Sequence, residues 1–211
     1  MKKSQLKING KNLKNAPVYI FAHGAGAPMD SDWMNEVSAL IQKEKVKVIR
    51  FEFPYMEERR KSGTKRPPNT QKVLLETWRS VIDLALKDKP LKVFIGGKSM
   101  GGRMASLLID EYKGKVDGLI CLGFPFHAPG KEPKDRIAHL ENLKVKALIL
   151  QGERDSMGNF KEVSTYNLSK KIKVKWLKDG DHSLRPRVKS GITLEENLIR
   201  SAKEIAKFCL K

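Results

Sequence analysis

The chain has 211 residues, two Cys and four His, and carries 42 Lys and Arg against 24 Asp and Glu, a formal charge of +18. That length suits one domain able to bury roughly 70% of its unfolded surface without disulfides. The sequence contains no CxxC pair, no His at metal-ligand spacing and no zinc-finger or RNP pattern, which argues against metal-centred and sequence-specific nucleic-acid functions.

Taken in order, "LKING" reads as an edge strand, followed by the apolar runs "VYIFAHG" (18–24), "VKVIRFEF" (46–53), "LKVFIGG" (91–97), "VDGLICLGF" (116–124), "VKALILQG" (145–152) and "IKVKWL" (172–177). Helical patterns lie between them at 31–44, 70–88, 100–113, 135–142, 159–169 and 192–209. This alternation predicts an α/β fold: a mostly parallel sheet of about six or seven strands with helices on both faces. Residues 54–69, with Gly63 and Pro67-Pro68, and 125–135 are expected to be irregular. Both follow strands, so both should wall a pocket at the carboxyl edge of the sheet. No repeat or low-complexity tract divides the chain, and residues 1–211 are expected to form a single domain. The start "MKKSQLKING" is not followed by an apolar segment of signal-peptide length, and no run approaches the roughly 20 apolar residues of a membrane span. A soluble, cytoplasmic protein that does not engage membranes is therefore expected, its Lys and Arg forming a solvated basic surface.

The stretch "KVFIGGKSMGGRMASLLI" (92–109) admits two chemistries. Gly97-Lys98-Ser99 imitates the end of a phosphate-binding loop, but the required upstream Gly is replaced by Lys92, and no G-x-G-x-x-G occurs. G-x-S-x-G is satisfied by Gly97 to Gly101, between a predicted strand and a predicted helix, as a nucleophile elbow requires. A hydrolase of this type needs an acid and then a His after the Ser, each beyond a later strand. Of His23, His127, His139 and His182, only His182 follows the last predicted strand; one strand earlier stands Asp155, with Glu153 in reserve. Ser99, Asp155 and His182 are thus the expected catalytic set. The Met100 amide and a partner from "HGAGA", Ala25 with Gly24 and Gly26 beside it, are the expected oxyanion hole. His23 reads as a brace of that loop or a hydrogen-bonded core residue.

Together, "HGAGAPMDSDWM", "RFEFPYM", "GGKSMGGRMAS", "LGFPFHAPGK", "LQGERDSMG" and "DGDHSLRPR" resemble a family of small bacterial α/β-hydrolases, related to dienelactone hydrolases, that extends to the hydrolase-like subunit of a nonspecific-lethal histone acetyltransferase complex. The resemblance covers about residues 17–197. It implies an α/β-hydrolase fold, in which 211 residues leave no room for the large cap domain of some relatives, and carries Ser99 as nucleophile, Asp155 as acid and His182 as base. The resemblance itself brings no substrate; the catalytic set and the short chain lead to the expectation of a serine hydrolase, a carboxylesterase acting on small-molecule esters through an acyl-enzyme, with no cofactor and no metal. The alternative is a non-catalytic scaffold or binding protein of the same fold. Lys98, Tyr55, Phe124 and Phe126 are candidates for substrate contact, with strand-end packing as the competing role for the aromatics.

Overall fold

The structure, a computed structural model, describes residues 1–210 apart from the side chains of Lys134 and Asp135. Seven strands, β1 (Lys7–Asn9), β2 (Val18–Ala22), β3 (Lys47–Phe51), β4 (Val93–Lys98), β5 (Gly118–Leu122), β6 (Ala147–Gly152) and β7 (Ile172–Leu177), form one sheet in the order β1-β3-β2-β4-β5-β6-β7. All pairings are parallel except that of β1 with β3. Among the described residues, seven α-helices connect or flank them: α1 (Asp32–Lys43), α2 (Pro54–Ser62), α3 (Gln71–Leu86), α4 (Met100–Leu108), α5 (Lys134–Glu141), α6 (Phe160–Val163) and α7 (Leu194–Leu210).

Alternation along each strand sends side chains to opposite faces, and the apolar runs divide accordingly. Tyr19 and Phe21 of β2 pack with Met34, Val37 and Ile41 of α1 and with Leu198, Ala202 and Ile205 of α7. Val18, Ile20 and Ala22 turn to the other face, against Trp78 and Val81 of α3 and Met104 and Leu108 of α4. Each fully buried aliphatic side chain contributes roughly 1.5–3 kcal/mol, so the two layers fix which strand ends meet. Because β2, β4, β6 and β7 run parallel, the loops that leave them gather on one edge. Among the described residues no inserted cap domain covers that edge.

The expected strands and the α1, α3, α5 and α7 segments lie where the sequence put them, but two segments differ. Residues 54–62 are helical rather than irregular: Pro54 opens α2 and Gly63, at φ 69°, closes it with its amide donating to the Arg59 carbonyl. Proline supplies a helical φ at the first position and glycine accepts the left-handed cap, so a polar helix forms without an apolar stripe. The helix expected over 159–169 shortens to α6, capped at its start by Asn159, whose side chain accepts from the Glu162 amide.

Candidate active site

Ser99 lies at the carboxyl end of β4 with φ 49° and ψ −117°, a strained conformation that costs about 1–3 kcal/mol and persists only where the surroundings enforce it. They do so from both sides. Its amide donates to the Leu122 carbonyl on β5 (3.1 Å) and its carbonyl accepts from Arg103 in α4 (2.9 Å). The flanking glycines are required by β2: a Cβ on Gly97 would collide with the Ala22 carbonyl oxygen, and one on Gly101 would stand 2.5 Å from the His23 carbonyl oxygen.

His182 meets Ser99 from the loop after β7, its Nε2 lying 2.8 Å from Ser99 Oγ. Its Nδ1 is 2.8 and 3.0 Å from the two oxygens of Asp155. Since the carboxylate only accepts, the Nδ1 proton lies on the Asp155 side and leaves Nε2 free to accept from the serine hydroxyl. Asp155 is fully buried; its oxygens also receive the Met157 amide and the Gln151 side-chain amide, each at 2.8 Å. Gln151 is itself oriented, because its Oε1 accepts from the Phe124 amide (2.7 Å). Glu153, the reserve acid, is engaged elsewhere, accepting from the Asp179 amide.

The His182 loop is built by short polar bonds. Asp181 Oδ1 accepts from the Ser183 and Arg185 amides, closing a turn in which Leu184 adopts φ 66°. Asp179 pairs with Arg187 and Arg154, and the Arg187 hydrogen bonds hold its carboxyl well below the usual range. From below, Lys98 Nζ donates to the His182 carbonyl at 2.6 Å.

The loop after β2 forms the opposite wall. Gly24, Ala25 and Gly26 share a cleft of about 410 Å³ with Ser99, Lys98, His182, Ser31, Trp33, Met34, Ala27, Met157 and Ser183. Among the described residues neither the amides of Gly24, Ala25 and Gly26 nor that of Met100 donates a hydrogen bond. The loop carbonyls, by contrast, are engaged: Tyr55 Oη donates to Ala25 (3.0 Å) and Arg59 donates to Gly26 (3.1 Å). His23 is buried, donating from Nδ1 to the Gly24 carbonyl and accepting at Nε2 from the Phe53 amide, and burial lowers its pKa. Glu52, also buried, accepts from the Met29 amide and pairs with Arg60, so α2 clamps this loop.

The four residues considered for substrate contact separate. Lys98 borders the cleft with its ammonium committed to His182. Phe124, Phe126 and Tyr55 are buried and none lines the cleft; Phe124 and Phe126 pack on each other with centroids 4.9 Å apart. Their place is taken by Trp33, Met34 and Met157, which sequence reasoning did not single out; Trp33 and Met34 had a signal in their position beside the small-residue loop. A broader hollow of about 550 Å³ bordered by Asp155, Asn159 and Phe160 does not include Ser99. Among the described residues no group of three or more His, Cys, Asp or Glu is placed to hold a metal ion.

The profile of an alpha/beta hydrolase domain matches residues 15–210. The chain belongs to the α/β-hydrolase family. Solved structures of similar fold include Est1E from Butyrivibrio proteoclasticus with ferulic acid bound, at TM-score 0.72 and 16% identity over 98% of this chain and 95% of that one. A dienelactone hydrolase from Anabaena variabilis aligns at TM-score 0.72 and 18% identity, covering 97% of this chain and 91% of its own. A serine hydrolase homologue from Coxiella burnetii aligns at TM-score 0.70 and 17% identity, with 96% and 89% covered. At these identities the likeness speaks for the α/β-hydrolase fold. No helix among the described residues is long and apolar enough to cross a membrane.

Proposed function

We propose that this α/β-hydrolase is a serine hydrolase that cleaves small carboxylic esters through an acyl-enzyme, with Ser99 as nucleophile, His182 as base and Asp155 as the orienting acid. The observation that carries the reading is the unbroken relay from Ser99 Oγ through His182 to the buried Asp155, each link 2.8 Å. In the first half-reaction His182 Nε2 takes the hydroxyl proton as Ser99 Oγ attacks the ester carbonyl carbon. The amides of Ala25 and Met100, with Gly24 and Gly26 shaping the loop, hold the oxyanion. Collapse expels the alcohol, protonated by His182, and leaves an ester on Ser99. Water, deprotonated by the same imidazole, then attacks that ester, and the imidazolium returns the proton to Ser99 Oγ as the acid is released. The negative Asp155 balances the imidazolium formed in both halves, and the protons and bonds balance without an added cofactor.

A cleft of about 410 Å³ is near the small end of ligand sites and suits short acyl groups. Residues 1–211 are proposed to act as one domain, in a reducing, cytoplasmic setting compatible with the free buried thiols of Cys121 and Cys209. Turnover of p-nitrophenyl acetate and butyrate tests the reading: it should vanish in Ser99→Ala while the circular dichroism spectrum is retained. Equal rates from the two proteins would refute it.

A further inference from the structure

Lys98 fills the open position before the nucleophile in G-x-S-x-G. Its side chain is nearly buried, with 9% exposure, and runs beneath the His182 loop. Besides donating to the His182 carbonyl at 2.6 Å, its Nζ lies 5.9 Å from the centroid of the Trp33 ring. Trp33 Nε1 in turn donates to the Ser183 carbonyl at 3.1 Å. Two successive carbonyls of the loop are thereby held from β4 and α1. Gly123 leaves the room for this: at φ 60°, any Cβ there would strike the His182 carbonyl oxygen and stand 2.8 Å from Lys98 Nζ.

Removing an ammonium from water is costly unless specific partners compensate. A Met of similar length would fill the same space without that cost, yet would leave the His182 carbonyl without its donor. The charge facing Lys98 comes from Asp155 after β6 and Asp181 after β7; the His182 main chain and the Trp33 ring complete its surroundings. A charge-assisted bond to a main-chain carbonyl is stronger than its neutral counterpart, and the carbonyl it grips belongs to the residue that must hold its imidazole within hydrogen-bond reach of Ser99.

We propose that Lys98 is a positioning residue whose ammonium fixes the His182 main chain and thereby the alignment of the imidazole with Ser99. The proposal rests on the serine-hydrolase reading for its kinetic consequence. Burial lowers the Lys98 pKa to about 8, so the ammonium is present below that pH and lost above it. The grip should weaken on the alkaline side.

The test compares wild type with Lys98→Met, both verified as folded by circular dichroism. A displacement on the order of 1 Å near a reacting centre costs about 10²-fold, so kcat for p-nitrophenyl acetate should fall roughly 10- to 100-fold with KM nearly unchanged. The wild-type kcat should decline through about pH 8, and Lys98→Met should lack that decline. Hydrogen exchange followed by mass spectrometry should be faster in the 179–187 segment of the variant. Wild-type kcat and exchange in Lys98→Met, an unchanged alkaline decline, or a loss confined to KM would overturn the proposal; the last would return Lys98 to substrate binding. If wild type and Ser99→Ala were equally inert, the hydrolase reading would fail, and the exchange rates would still decide whether Lys98 holds the His182 segment.

Discussion

Asp155→Asn removes one charge and exchanges one acceptor for a donor in a site with no spare capacity. The two oxygens of Asp155 receive three donors, from His182, Met157 and Gln151. Gln151 cannot reverse its amide to help, because its Oε1 is already the acceptor for Phe124. If the asparagine oxygen faces Met157, its NH2 group opposes that of Gln151 and takes the position 2.8 Å from His182 Nδ1, which favours the tautomer whose proton sits on Nε2, toward Ser99, and which cannot act as base. If the oxygen faces Gln151 and His182, the Met157 amide is orphaned and the imidazolium loses its counter-charge. Either way a buried donor is left unpaired at about 1–3 kcal/mol. The wrong tautomer or missing charge should lower kcat by about 10³- to 10⁴-fold, or about 4–5 kcal/mol of barrier. Steady-state p-nitrophenyl acetate kinetics and a thermal melt measure both quantities. A variant with kcat within tenfold of wild type and an unchanged midpoint would refute the role given to Asp155.

Gly101→Ala should destabilise the fold by roughly 1–3 kcal/mol, as overpacking does, because its Cβ would stand 2.5 Å from the His23 carbonyl and 2.7 Å from the Ala22 Cβ. An unaltered melting midpoint and unaltered turnover would contradict the elbow geometry. His139 should make stability fall on acidification. Burial, assisted by Arg103, lowers its pKa to about 4, so between its ordinary value near 6.5 and about 4 the unfolded chain binds the extra proton, and the loss is complete only below both. Chemical denaturation across that range should show a shallower decline in His139→Gln, and identical pH profiles would contradict the assignment. The +18 charge should give weak, sequence-blind DNA binding that falls steeply with salt; a marked base preference in a binding titration would speak against a merely solvated basic surface.

The parts of the molecule legible in sequence are those governed by local pattern or chain order. Apolar runs such as "VYIFA" and "ALILQG" become buried strands, and the order of Ser99, Asp155 and His182 relative to those strands anticipated three side chains that meet. The α2 helix was hidden because Glu57, Glu58, Arg59, Arg60 and Lys61 leave only Tyr55 and Met56 of its first turn as buried side chains, too few for a periodic apolar stripe, although Pro54 and Gly63 marked its ends. Gln151 was hidden for a different reason: it sits in an apolar strand, and its role comes from contacts to Phe124, Gly158 and Asp155 that only the packed β5 and β6 loops create. The same long-range closure turns Lys98 toward His182, and draws Tyr55, Phe124 and Phe126 into the core rather than into the cleft.

Labelling with a fluorophosphonate probe, followed by peptide mapping, tests most directly whether one serine is activated. The geometry predicts a single adduct on Ser99 that forms in wild type, slows greatly in Asp155→Asn and is absent from Ser99→Ala. An adduct on another residue, or no adduct on folded wild-type protein, would contradict the account.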